Sequence, residues 1–311
     1  MKKTLQLMMV TVIAISVTFT SCKKSDTDPS DNSADMTTHS DDQARFDGEL
    51  DAIDNDVNAA IMSSSDFQGK NLNVVDICNA TAELDSTATD ARLTITYNGL
   101  NCFGTRNVTG VVTVTMPLGQ HWKDVNATVT VTATTLKITR VLDGKSITIN
   151  GNHIVKNVSG GRLIDLPSMP ASSSMVHSVT SDGVDVEFDN GQHRTWQVAK
   201  QRTFTYDNGY VLTTIGTHSD GTNTNIAEWG TNRFGNAFTT SITSPLIVRQ
   251  DCSYRLVSGE VTHHRLIADV VVTFGLNSAG APTSCPGLGV YYFKLVWTGA
   301  NGIVRTIIWP Y

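Results

Sequence analysis

The sequence predicts an all-β protein: an antiparallel meander, curled or folded into a sandwich-like body, with one N-terminal amphipathic helix. Apolar and polar residues alternate with period two over long stretches, as in 125–133, where Val and Ala alternate with Asn and Thr. This is the pattern of strands with one buried face. Seven Asn-Gly or Asp-Gly dipeptides fall between residues 143 and 302, and they supply the positive φ angles of hairpin turns. No helical pattern after residue 64 could form the crossovers of a parallel sheet.

The seven dipeptides are Asp143-Gly144, Asn150-Gly151, Asp182-Gly183, Asn190-Gly191, Asn208-Gly209, Asp220-Gly221 and Asn301-Gly302. Hairpins joined in this way form a meander, and we assign residues 64–311 to one antiparallel β domain. Thr, Asn and Gln occupy the second face of the strands, so one side of the sheet is expected to face water. A long meander of this kind curls, folds over as a sandwich or closes into a barrel, and all three remain open.

The N-terminus reads as an export signal that is cleaved before a lipidated cysteine. A basic start at Lys2 and Lys3 precedes a short apolar segment, 5–19, which is typical of a signal peptide over residues 1–21. Phe19-Thr20-Ser21-Cys22 is similar to a lipobox, although the usual motif has Leu first and Gly or Ala before Cys. The alternative is an ordinary signal peptide cut nearby. We predict lipidation at Cys22 and anchoring by palmitate-type acyl chains. The chain is expected to be a lipoprotein of the cell envelope, held at the outer membrane and either periplasmic or surface-exposed.

Residues 22–39 are predicted to form an acidic flexible tether, because Asp, Ser and Thr dominate and few apolar residues are present to bury. Residues 40–63 are predicted to form the amphipathic helix. Its apolar stripe recurs at steps of three and four residues, and its members are Phe46, Leu50, Ile53, Val57 and Ile61. Ser40 and Gln43 fit a capping box at the start, with Asp41 and Asp42 in the first turn.

The charge balance argues against nucleic acid as a partner. The net charge is −6, and removal of residues 1–21 deletes Lys2 and Lys3 and no acid, which makes it −8. Phosphate binding needs clustered Lys and Arg instead. The expected partners are the membrane, through the lipid, and a glycan or an envelope protein.

Four cysteines remain once Cys22 is assigned to lipid. An even number in an oxidising compartment favours disulfides, and four cysteines allow three pairings. We favour Cys78–Cys102 and Cys252–Cys285, because each pair closes a modest local loop. The spacing of these cysteines is unlike that of a zinc site, so no metal site is predicted.

Catalytic signals are weak. The GxSxG, HExxH, GxGxxG and P-loop patterns are missing from the sequence, so we predict no enzyme, no catalytic residue and no cofactor. The alternative is a hydrolase that acts on envelope polysaccharide, with two carboxylates set across a cleft. Its candidate carboxylates are Asp165, Asp185, Glu187 and Glu228.

Tryptophans give the other candidate for ligand binding. Trp122, Trp196 and Trp229 could stack on sugar rings if they are exposed on a β face, although in strands such rings more often pack in the core. Arg194, Trp196, Val198, Lys200 and Arg202 alternate on one face of a predicted strand as a partly polar stripe, in which Arg194 and Trp196 could form a cation–π pair.

Several segments together resemble a family of uncharacterised β-rich lipoproteins common in Bacteroidota. They are the helix ending Asp54-Asn55-Asp56-Val57-Asn58, then Tyr97-Asn98-Gly99, Asn190-Gly191-Gln192-His193-Arg194-Thr195-Trp196, Gly216-Thr217-His218-Ser219-Asp220-Gly221, Ser244-Pro245-Leu246 and Val257-Ser258-Gly259-Glu260-Val261. The resemblance covers roughly residues 40–300. It implies export, a lipid anchor and a β-rich body, and no activity. The chain departs from the family at 282–287, where Pro-Thr-Ser-Cys-Pro-Gly replaces a segment of the type Gly-Asp-Gly-Thr-Cys-Asp.

Overall fold

The computed structural model describes residues 33–64, 67, 77–252, 254–264, 269–285, 289–298 and 302–311. Within these residues it contains one long helix, α1 (Ser33–Ser63), and fourteen strands. The strands are β1 (Ala80–Leu84), β2 (Asp90–Leu100), β3 (Arg106–Pro117), β4 (Ala127–Arg140), β5 (Ser146–Asn157), β6 (Met175–Phe188), β7 (His193–Tyr206), β8 (Tyr210–Gly216), β9 (Ile226–Thr231), β10 (Ala237–Arg249), β11 (Arg255–His264), β12 (Val270–Leu276), β13 (Tyr292–Thr298) and β14 (Val304–Pro310).

All fourteen strands belong to one antiparallel sheet. Strands follow one another in chain order from β1 to β8 and from β10 to β14, with β8 beside β10. Each strand from β1 to β7 pairs with its successor in the chain. The predicted all-β meander is therefore confirmed, in its curled form rather than as two packed sheets.

The order is interrupted at β9, which fills the same row of the sheet as β8. Strand β7 pairs with β8 through Lys200–Tyr206 and with β9 through 196–198, and β10 pairs with both. Glu228 of β9 is thereby placed opposite Val198 of β7. This arrangement brings a carboxylate next to the inward-facing side chains of β7.

The inner face of the curled sheet holds α1. The predicted apolar stripe of the helix is buried, with each of its five members at most 5% exposed. It packs with the inward residues of β2 to β7, among them Ile95, Val131, Ile149 and Trp196. A helix enclosed by one sheet explains why alternate residues of so many strands are apolar.

The helix begins at Ser33, so the predicted tether 22–39 and helix 40–63 need correction. Ser40 is buried inside the helix and does not cap it. The extra turns are stabilised by packing, because the ring of His39 lies 4.6 Å from that of Phe238 and 5.1 Å from that of His263. Asp41 pairs with Arg140 across the sheet. Tertiary contacts therefore override the local capping signal.

The predicted signal peptide 1–21, the lipidation site Cys22 and the rest of the tether up to residue 32 lie outside the described residues. Among the residues that are described, no helix is both long enough and apolar enough to span a bilayer.

Two of the seven Gly dipeptides are not hairpin turns. Asn150-Gly151 lies inside β5 and Asp182-Gly183 lies inside β6, where the pairing register shifts. Gly151 has φ 122°, so it supplies the positive φ of a β-bulge instead of a turn. The strands therefore run longer than the dipeptide spacing predicts.

The two predicted disulfides are both present. Cys78–Cys102 ties the segment before β1 to the loop between β2 and β3, with the Cα atoms 5.4 Å apart. Cys252–Cys285 ties the end of the β10–β11 connection to the β12–β13 connection, with the Cα atoms 5.2 Å apart. Each bridge closes a local loop, as the sequence spacing indicated.

Candidate functional site

The interior of the sheet contains a row of paired charges between α1 and the strands, which we call the charged seam. Its members are Asp47, Asp51 and Asp54 of α1, His153 of β5, Lys200 and Arg202 of β7, and Glu228 of β9. The three helix acids are four and three residues apart, so they lie on one face of α1 beside the apolar stripe. Lys200 and Arg202 are two residues apart in a strand, so both point inward.

One half of the charged seam is centred on Lys200, which is 2% exposed. Its ammonium contacts Asp47 and lies 2.5 Å from Oε1 of Glu228. Burial opposes the charge on Lys200, but the carboxylates of Asp47 and Glu228 outweigh it and raise the pKa of Lys200. Burial and the charge of Asp47 raise the pKa of Glu228 well above its usual range. Burial opposes ionisation of Asp47, but Lys200 outweighs it and lowers the pKa of Asp47. Asp47 is therefore the anionic partner of Lys200.

The other half is centred on Arg202, which is 3% exposed. Its two terminal nitrogens donate to Asp51 and Asp54, and Nε2 of His153 lies 2.6 Å from the other oxygen of Asp54. Burial opposes ionisation of Asp54, but His153 and Arg202 outweigh it and hold the pKa of Asp54 at about 2. For Asp51 the effect of burial is larger than that of Arg202, and its pKa is raised.

Beyond the Arg202 half, a narrow cleft with a volume of about 20 Å³ lies between α1 and the sheet. Asp51, Asp54, Asn55 and Asn58 of the helix line it together with Trp122, Val129, Val155, Leu163, His177, Arg202, Phe204 and Leu212. Burial, and then the charge of Arg202, lower the pKa of His177 to about 4. The ring of His177 lies between those of Trp122 and Phe204, with centroids 5.2 and 5.0 Å away. The cleft has room for about one water molecule, so its polar and aromatic lining is filled mainly by its own side chains.

The structure corrects two of the three tryptophan predictions. Trp122 and Trp196 are at most 2% exposed, and their indole N–H groups donate to Oδ1 of Asn58 and to the carbonyl of Thr231. Their rings pack in the core and cannot serve as a surface platform. Trp229 is half-buried, and its ring stacks on His218 with centroids 4.2 Å apart.

The four candidate carboxylates are not gathered at one cleft. Asp165 pairs with Arg162, Asp185 pairs with His193, and Glu228 belongs to the charged seam. None of them, nor Glu187, lines the cleft described above.

The partly polar stripe of β7 has a different role from the one predicted. From Trp196 to Arg202 it faces α1, and its two cations pair with helix acids. Arg194 donates to the carbonyls of Asn232 and Arg233. The sequence held a signal for this pairing, because Lys200 and Arg202 share the parity of buried Trp196 and Val198. Inward cations of this kind require acids on the element that packs against them.

Possible metal ligands meet at one place within the described part of the chain, at Asp251, Cys252 and Cys285. Both sulfurs are joined in the disulfide, so this group cannot supply thiolate ligands.

No protein-family model, curated protein or solved structure matches this chain. The fold and the site define a class in physical terms: a single-sheet all-β protein that encloses a helix through buried ion pairs.

Proposed function

We propose that the chain is a lipid-anchored cell-envelope lipoprotein that acts as a non-enzymatic binding or structural protein. The lipid is attached at Cys22, eleven residues before α1 begins at Ser33. In this proposal α1 is the element through which the anchor holds the β body. A glycan or another envelope protein is the partner of the body.

The observation that carries the proposal is the docking of α1 by the charged seam. A helix that connects a tether to a folded body has to resist being pulled out of that body. Breaking a buried ion pair by removing one partner costs about 3–5 kcal/mol, and α1 carries such pairs at Asp47, Asp51 and Asp54. The acids of the seam contact cations of the sheet, which favours a structural role for them.

Fatty-acid labelling tests the anchor. Cells that express the full chain are fed an alkyne-tagged palmitate, and the purified protein is assayed for the tag. We expect the wild type to carry the tag and to sediment with membranes, and Cys22→Ala to lose both. Cys102→Ala, which removes a cysteine that is joined to Cys78, is the control and should keep the tag. An untagged wild type would contradict the proposal.

Protease treatment of intact and permeabilised cells locates the body. Digestion in intact cells would indicate surface exposure and favour adhesion or glycan binding. Protection until permeabilisation would indicate a periplasmic body and favour envelope maintenance.

One observation favours the hydrolase as a second candidate. Asp51 and Asp54 both line the cleft, and their surroundings move their pKa values in opposite directions, upward for Asp51 by burial and down to about 2 for Asp54. A pair of carboxylates separated in this way can divide the roles of acid and base. Incubation of the wild type and Asp51→Asn with envelope polysaccharide tests this candidate. Release of reducing ends by the wild type but not by the variant would support it.

A further inference from the structure

One end of the body carries large apolar side chains on three hairpin tips. This apolar end consists of Leu100, Phe103, Val141, Leu142 and Phe234. Leu142 is 90% exposed and Phe103 is 72% exposed, the two highest values among the large apolar side chains that the structure describes. Exposed apolar groups that cluster on neighbouring loops usually mark a contact surface.

The three tips are neighbours and surround α1 at Asp41 and Asp42. The amide of Val141 donates to the carbonyl of Thr105, 2.9 Å away, which joins the β4–β5 tip to the β2–β3 tip. Arg140 at the base of the second tip pairs with Asp41 of α1. Arg233 of the β9–β10 tip pairs with Asp42. The N-terminal turns of α1, which begins at Ser33, therefore lie at the apolar end.

Acidic groups at this end are neutralised by cations. Asp41 contacts Arg140 and Lys145, and Asp143 contacts Arg140. Glu49 and Asp189 are paired in the same way, with Arg106 and Arg233. After removal of residues 1–21 the chain has a net charge of −8 and would be repelled by an anionic surface, but these pairs leave the three tips close to neutral. The pairing of these acids lowers the electrostatic cost of bringing the tips to phospholipid headgroups.

The sequence limits how far this end can lie from the anchor. Eleven residue steps separate Cys22 from Ser33, and a fully extended chain of that length spans at most ~40 Å. That limit holds whatever conformation the segment adopts. The start of α1 is thus held within that distance of the lipid, where the local concentration of membrane surface is high.

We propose that the apolar end rests on the bilayer that holds the Cys22 lipid, with Phe103 and Leu142 inserted at the level of the headgroups. The inference rests on the proposed lipid anchor. Apolar side chains that enter the interface add a second contact to the acyl anchor and fix the orientation of the body on the bilayer. The body is then oriented, with α1 entering from the membrane side and the opposite loops facing away from it.

The test uses the lipidated full chain in vesicles of phosphatidylethanolamine and phosphatidylglycerol. Hydroxyl-radical oxidation, read residue by residue by mass spectrometry, is compared with that of Cys22→Ala in buffer. We expect oxidation of Phe103 and Leu142 to slow several-fold on vesicles. Val125 and Ile164, which are 65% and 64% exposed outside the apolar end, should be oxidised equally in both samples.

A pair of matched variants gives a second measurement. Phe103→Ser/Leu142→Ser should make trypsin cleavage after Lys145 several-fold faster on vesicles, because the tip no longer inserts. Val125→Ser/Ile164→Ser removes similar apolar area elsewhere and should leave that rate unchanged.

The outcomes separate the surface from the anchor. If the protein carries the fatty-acid tag at Cys22 but vesicles do not shield Phe103 and Leu142, the proposed contact of the apolar end with the bilayer is wrong. The proposed lipid anchor is not affected by that result. If the protein carries no tag, the lipid anchor is wrong, and the bilayer contact that depends on it is wrong as well. Phe103 and Leu142 could also be oxidised equally slowly in the Cys22→Ala protein in buffer. That result would mean that a second copy or another protein covers the apolar end, and it would contradict contact with lipid.

Discussion

Two regions inside the same sheet are stabilised by different interactions, one by buried charged pairs and the other by apolar packing. Around α1, the charged seam joins the helix to β7 through buried ion pairs and to β5 through the hydrogen bond between Asp54 and His153. On the C-terminal side, strands β9 to β13 share a cluster of buried apolar side chains. Its members are Ala227, Ile242, Val261, Val270, Val272, Phe293, Leu295 and Trp297.

This difference shows that burial alone does not determine how much stability a region loses when a residue is substituted or the pH is changed. An apolar core loses free energy in proportion to the volume removed. A buried ion pair is sensitive to which partner is removed and to pH, because the remaining charge has no water to solvate it. The loss of stability caused by substitutions in the charged seam should therefore depend on which partner is removed and on pH. The loss caused by substitutions in the C-terminal core should not depend on pH.

The largest effect is expected from Arg202→Met. This change leaves Asp51 and Asp54 buried without their shared cation, and the free energy of unfolding should fall by about 4 kcal/mol. Urea unfolding near pH 7 measures it. Arg162→Met breaks the more exposed pair with Asp165 and should change little. Equal losses in the two variants would remove the distinction between buried and surface pairs.

Leu295→Ala tests the apolar region. Leu295 is 0% exposed, so its truncation should lower the free energy of unfolding by about 3 kcal/mol. The loss should be the same at pH 7 and pH 5, since no titrating group belongs to this cluster. A loss that changed strongly with pH would show that the two regions are not distinct.

His177 should make stability depend on pH. Its pKa is lowered from 6.5 to about 4 by burial and by Arg202, so between these values the unfolded chain binds a proton that the folded chain does not. Stability therefore falls as the pH falls through this window, by about 2 kcal/mol between about pH 7.5 and about pH 5. His177→Gln should flatten that part of the curve, whereas His121→Gln, at a partly exposed position, should not. An unchanged slope in His177→Gln would assign the dependence to another group.

The smallest effect is expected from Glu228→Gln. Burial and Asp47 raise the pKa of Glu228 well above its usual range, which favours the neutral carboxyl in the folded protein. An amide keeps the acceptor for Lys200 and can donate to Asp47, and the change should be below about 1 kcal/mol. Thermal unfolding at pH 7 measures it. A loss as large as that of Arg202→Met would mean that Glu228 is ionised in the folded state.

Much of the fold could be predicted from the sequence, because period-two alternation and Gly dipeptides report local geometry directly. The stripe from Phe46 to Ile61 follows from its spacing, and local spacing favoured the observed pairing among the three that four cysteines allow. The start of α1 could not be predicted in the same way. His39 and Ser40 are helical because they pack against the sheet, and such contacts leave no local signal.

The charged seam could be predicted only in part. The inward parity of Lys200 and Arg202 is visible in the sequence, and so is the spacing of Asp47, Asp51 and Asp54 on one face of the helix. Their pairing depends on β8 and β9 sharing one row beside β7, which brings Glu228 to Lys200. The placement of Glu228 beside Lys200 depends on the order of strands in the whole sheet, which the spacing of residues along the sequence does not determine.

A double-mutant cycle on Lys200 and Asp47 tests the central claim, that paired buried charges hold the helix in the sheet. Urea unfolding is measured for Lys200→Met, Asp47→Asn and the combined variant. We expect each single change to destabilise the protein strongly and the double variant to lose less than the sum, by about 2 kcal/mol. Additive losses would contradict the claim, because they would show that the two charges do not stabilise one another.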